Sequence, residues 1–127
     1  MTAGVVLILA AGAIHAFEAP DHLEEQTYIG VLFVLNAIGA LIAAIGIVRG
    51  SRSAWTLGVV VAAGAFVSFV LSRTTGLPSY HETEWEPLGI LSLILEAGYL
   101  FVAARALAAP ARTQRPRTRR EPLAGQY

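Results

Sequence analysis

The chain has 127 residues, enough for one domain; 55% are hydrophobic and 14% charged, against about 25% charged in a typical soluble domain. It contains no Cys, which excludes disulfide, iron–sulfur and thiolate–metal chemistry, and no Lys, which excludes a retinal Schiff base, a P-loop lysine and a lysine nucleophile. The formal net charge of zero averages clumps of opposite sign: long apolar runs separate Glu18–Glu25, Arg49–Arg52, Arg73–Glu86 and Arg105–Glu121, the pattern of spans and loops.

The first apolar run, Thr2–Phe17, reaches a spanning length of about 20 residues when extended through Glu18 and Ala19. Ala11-Gly12-Ala13 resembles a signal-peptide cleavage site, but no Lys or Arg precedes the run, so a retained helix over 2–19 is the expectation. Pro20 suits a first helical turn, which makes Asp21–Thr27 an interfacial turn leading into a second helix over 27–48. The third run gives a helix over 54–72. Pro87 opens the fourth, over 87–108. Residues 110–127 hold three Pro and five Arg, a composition that buries nothing and reads as a disordered basic tail.

The predicted fold class is therefore all-α: one domain over 1–109, a bundle of four transmembrane helices. Arg49, Arg52, Arg105 and the tail arginines lie at one end, and of the basic residues only Arg73 lies at the other. The positive-inside rule then puts both termini in the cytoplasm and the protein in the plasma (inner) membrane. The two loops facing out, Glu18–Thr27 and Arg73–Pro87, hold seven of the nine acids.

Those loops match at a shift of 59 residues, His22-x-x-Glu25-x-x-x-Ile29-Gly30-Val31-Leu32 with His81-x-x-Glu84-x-x-x-Leu88-Gly89-Ile90-Leu91. The match suggests two parallel helical-hairpin repeats about an axis normal to the membrane. Chance similarity between Gly- and Leu-rich helices is the alternative, as helices one and three align poorly.

Inside the spans, Glu96 stands out, because an ionisable side chain in lipid is costly. It lies nine residues past Pro87, roughly 13 Å below the surface at 1.5 Å per residue. Asn36 falls at a similar depth, and Gly64 on helix three at that level would let helices approach closely. Glu96 reads either as a proton or cation site or, more simply, as a protonated acid bonded to Asn36 or a backbone carbonyl that ties the helices together. Nothing ionisable continues toward the cytoplasm until Arg105 and Arg49, which argues against a full proton path.

The outer mouth gathers a second cluster. His15, Glu18 and His22 share a helical face at i, i+3 and i+7, a register that a break at Pro20 would undo. His22 with Glu25 and His81 with Glu84 form i, i+3 pairs that could face each other across the repeat axis. Two His and two Glu suit Zn²⁺, Mn²⁺ or iron, so a divalent metal is the cofactor class in view. A solvated loop is the simpler alternative. Arg73, amid seven acids, is expected to pair with Glu18, Glu82 or Glu86.

The string Ser72-Arg73-Thr74-Thr75-Gly76-Leu77-Pro78, then Glu84-Trp85-Glu86-Pro87-Leu88-Gly89 and Glu96, resembles a group of small four-helix membrane proteins of actinobacteria and halophilic archaea. The resemblance covers residues 72–96, carries no established activity, and implies that Arg73 and Glu96 belong to one signature.

Two functional readings follow. The first is a non-enzymatic accessory or self-associating membrane subunit with an outward-facing polar pocket. Its partners would be the lipid bilayer and other membrane subunits or further copies, with Gly39 to Ala43 as a small-residue contact. The alternative is a metal- or proton-binding membrane protein, a sensor or small transport component, using the outer His/Glu cluster and Glu96. No nucleophile–base arrangement, HExxH or haem-attachment motif supports an enzyme, and nothing points to nucleic acid.

Overall fold

A computed structural model describes residues 1–110. Four helices follow one another: α1 (Thr2–Glu25), α2 (Thr27–Val48), α3 (Arg52–Arg73) and α4 (Pro87–Ala108). All four are long and apolar enough to cross a membrane, so the chain is a multi-pass membrane protein. Each helix packs antiparallel on its chain neighbours, and α1 closes the ring against α4. The inferred tail over 110–127 lies, past Pro110, outside the described residues.

The connections explain the order. α1 does not stop at Ala19 but runs through Pro20 to Glu25, so Asp21–Glu25 belong to it and not to α2. Pro20 removes only one i→i−4 bond, within two turns of the helix end, where the loss is tolerable. Gln26 alone, in extended conformation, separates α1 from α2, and its carbonyl accepts from the Ile29 and Gly30 N–H groups. A hairpin this tight needs Gly30: a Cβ there would stand 2.5 Å from the Leu23 backbone nitrogen.

At the other end α2 stops in a Schellman turn. Gly50 takes φ +82°, Ser51 N–H bonds Gly46 C=O and Gly50 N–H bonds Ile47 C=O. Arg52 then reaches across to the C-terminus of α4, donating to the carbonyls of Leu107 (2.6 Å) and Ala109 (3.0 Å). A guanidinium placed there satisfies two orphan carbonyls and complements the helix dipole.

The core is made of small residues. Ala40, Ala43, Ala44, Ala62 and Ala103 are buried with Ile8, Ile47 and Tyr99, while Leu35, Ile42, Val60, Ile94 and Phe101 point outward. Large residues on the outside and small ones inside are what lipid favours, since close backbone packing and not apolar burial holds such helices together. The glycines of α2 are used up in this packing: Gly39 abuts Val61 and Gly46 abuts Ala54. The Gly39–Ala43 face expected for self-association is thus occupied within the chain.

The two halves of the bundle differ. Near the termini it is closed: Tyr99 lies over Gly58, donates to the Trp55 carbonyl (3.0 Å), and Trp55 packs under Gly4. Toward the α3–α4 loop it is open, and the polar residues collect there.

Candidate functional site

Helical period aims Glu96 at the centre. Gly89, Ser92, Glu96, Tyr99 and Ala103 form one buried stripe on α4, recurring at three and four residues. On α1 the stripe is Gly4, Ile8, Ala11, His15 and Ala19. The two stripes meet at Glu96 and His15, with His15 Nε2 3.7 Å from Glu96 Oε1. The Ser92 hydroxyl donates to the same oxygen (2.8 Å). Glu96 is 2% exposed, and its other oxygen, Oε2, is buried with no hydrogen-bond partner.

The tautomer of His15 follows from its second contact. Nδ1 lies 2.8 Å from the Ala11 carbonyl, an acceptor only, so Nδ1 carries the hydrogen. In the neutral ring Nε2 is then a base facing a carboxyl group. His15 and Glu96 can hold one proton between them in either arrangement, as carboxylic acid with imidazole or as carboxylate with imidazolium.

This pair lines a cavity of about 360 Å³ whose other walls come from α2, α3 and the α3–α4 loop, including Leu77, Tyr80 and Asn36; Leu35 and Val60, which also line it, lie on the exposed side of the bundle. Its walls are largely apolar, formed by residues such as Leu32, Phe33, Val61 and Phe69, with Ser68 and Ser72 as polar points. Asn36 reaches the expected depth but donates to the Val61 carbonyl (3.2 Å), not to Glu96. Gly64, expected to bring helices together, does the reverse: a Cβ there meets nothing within 4 Å, and the residue lines the cavity.

Above lies a second, smaller pocket of about 100 Å³, lined by Glu18, Asp21, His22, Glu25, Glu82, Glu86 and Arg73 among others. Arg73 borders both spaces. It pairs with none of the expected carboxylates. Its Nε donates to the Glu84 carbonyl (3.1 Å), Nη1 donates to Ser72 Oγ (2.8 Å), and the guanidinium stacks 3.9 Å over Phe69. Arg73 thereby ties the loop to the top of α3. The loop gains a second tie from the Tyr28 hydroxyl, which donates to the Pro78 carbonyl. Partial burial pushes the Tyr80 phenol up, with Arg73 opposing, so Tyr80 is a neutral phenol at the cavity mouth.

The six residues considered as metal ligands are not assembled. His15 belongs to the inner cavity, and its ring tilts against Phe33 at 4.9 Å. His22 stacks on the same Phe33 ring at 4.2 Å and shares the outer pocket with Glu18 and Glu25. His81 and Glu84 are exposed in the α3–α4 loop, which is not helical there, so they are not the structural counterparts of His22 and Glu25. Among the described residues no group of three or more His, Asp and Glu side chains is placed to hold a metal ion.

His15 is the candidate residue whose place differs from the sequence expectation: it lies beside Glu96 and not at the outer mouth. The small-residue stripe on α1 was the available pointer: His15 falls on it, and an unbroken α1 keeps it there. Compared with known protein families, with curated proteins and with solved structures, the chain matches none.

Proposed function

We propose that this is a non-enzymatic plasma-membrane protein with both termini cytoplasmic, whose outward-opening pocket carries an exchangeable proton at Glu96 and His15. It would act as a small proton-responsive sensor or transport component. The observation that carries this reading is the buried carboxyl group facing an imidazole base, both lining a cavity, with the second carboxyl oxygen buried and without a hydrogen-bond partner. A purely structural Glu would have both oxygens satisfied, because an unmet buried acceptor is destabilising. The metal reading has no comparable support, since its ligands are dispersed. The orientation rests on the arginine asymmetry. The hairpin repeat and the resemblance over residues 72–96 remain proposals beside it.

The test is isotope-edited infrared spectroscopy of labelled Glu and His in lipid nanodiscs, titrated from mildly acidic to mildly alkaline pH. The expected result is a protonated-carboxyl band that titrates together with imidazole bands and vanishes in Glu96→Gln. His15→Gln should shift the carboxyl step without removing it. A wild-type spectrum with no titrating band lost in Glu96→Gln would refute the proton site.

A further inference from the structure

The pocket has a shape and a charge pattern that a proton alone does not use. A volume of about 360 Å³ falls within the range of small-molecule sites, roughly 300–1,000 Å³. Its walls are largely apolar, and Glu96 lines it with a carboxyl group whose Oε2 is buried without a hydrogen-bond partner. That oxygen asks for a hydrogen-bond donor, and in its charged form for a cation. The approach has the matching sign. Five carboxylates line the outer pocket, Glu18, Asp21, Glu25, Glu82 and Glu86, against the single guanidinium of Arg73. Such a mouth concentrates cations and repels anions. Arg73, which lines both spaces, is held by the Glu84 carbonyl, Ser72 Oγ and the Phe69 ring.

We infer that the pocket binds an amphipathic organic ammonium ion, its N–H groups on Glu96 and its hydrocarbon part along the α2 and α3 walls. This deepens the proton-site reading and rests on it. The carboxylate form of Glu96 is the one that receives the ammonium, so amine and proton compete: R–NH₃⁺ and the carboxylic acid give the ion pair and one released proton. The other titratable groups of the cavity are His15 from α1, Arg73 at the end of α3 and Tyr80 in the loop; α2 contributes none. Within α4, Tyr99 lies one turn along and is committed to Trp55.

Binding of octylamine to the full chain in nanodiscs, measured by calorimetry against empty nanodiscs, tests this. Saturable, stoichiometric binding is expected, weakening as pH falls and releasing a proton on binding. Octanol and octanoate of equal chain length should bind at least about tenfold more weakly, as should octylamine to Glu96→Gln, consistent with the loss of one charge-assisted hydrogen bond. Gly64→Leu, which fills the cavity from a position with free space, should abolish amine binding. Equal binding of octanol or octanoate, or undiminished octylamine binding by Glu96→Gln, would overturn the inference. The infrared result separates the two failures: a titrating Glu96 with no selective amine binding leaves the proton site standing and removes the ligand.

Discussion

At the residue scale, the chemistry turns on which side chains line the cavity beside Glu96. Ser92 Oγ is its one hydrogen-bond donor. Such bonds between side chains in membrane proteins contribute on average about 0.6 kcal/mol, at most about 1.7. Ser92→Ala should therefore lower stability by an amount in that range, read from reversible unfolding in mixed micelles, and should alter the carboxyl band of Glu96. A loss well above that range would mean that Ser92 holds the helices together in its own right. Glu96 was legible in the sequence because any acid deep in an apolar run is conspicuous. Its partner was not. Asn36 matches Glu96 in depth, but depth says nothing about azimuth, and the Asn36 amide faces α3. The sequence groups His15 with Glu18 and His22 at the outer mouth, on one helical face at i, i+3 and i+7. With α1 continuous to Glu25, His15 stays on the inward stripe.

At the scale of the element, three glycines in similar apolar runs do different work. Gly30 admits the backbone of Leu23, Gly58 admits the Tyr99 ring, and Gly64 faces empty space. Forcing extra atoms into a packed site costs typically about 1–3 kcal/mol. Gly30→Ala and Gly58→Ala should each destabilise the bundle on that scale in the same unfolding assay. Gly30→Ala has the least room to relax, because its neighbour is main chain and not a movable side-chain tip. Gly64→Ala should be neutral or slightly stabilising, as alanine is the better helix former. Equal losses at all three positions would contradict this division. The sequence announced every one of these helices through length and hydropathy. It did not show what each glycine meets, since a glycine's partner lies on another helix. The Gly39–Ala43 pattern illustrates this: its spacing suited self-association, yet Gly39 abuts Val61 within the chain and Ala43 is fully buried.

At the scale of the whole molecule, the bundle is closed at the end that carries the termini and open at the other. Tyr99, Trp55, Ile8 and Ile47 belong to the core at the closed end, and no ionisable group of the cavity lies beyond Glu96 toward it. This agrees with the sequence, in which Tyr99, committed to the Trp55 carbonyl, is the one titratable residue between Glu96 and Arg105. The proposed outward-opening pocket would therefore end within the bundle and exchange with one face only. The charge distribution in the sequence indicated that polarity was gathered on one side. The cavity is bordered by Gly64, Ser68 and Ser72, a small-residue face of α3 at i, i+4 and i+8; that spacing is visible in the sequence, but what stands opposite it on the other helices is not.

That one-sided opening is testable directly, because the chain has no native Cys. Single cysteines at Ser68, which lines the cavity, at Glu82 in the α3–α4 loop and at Ser53 near the α2–α3 turn would be probed in intact cells. A membrane-impermeant thiosulfonate is the reagent. Glu82→Cys and Ser68→Cys are expected to label from outside, Ser68→Cys more slowly, and Ser53→Cys only after the membrane is opened. Labelling of Ser68→Cys from the cytoplasmic side alone, or no labelling of it while Glu82→Cys reacts, would contradict an outward-opening pocket.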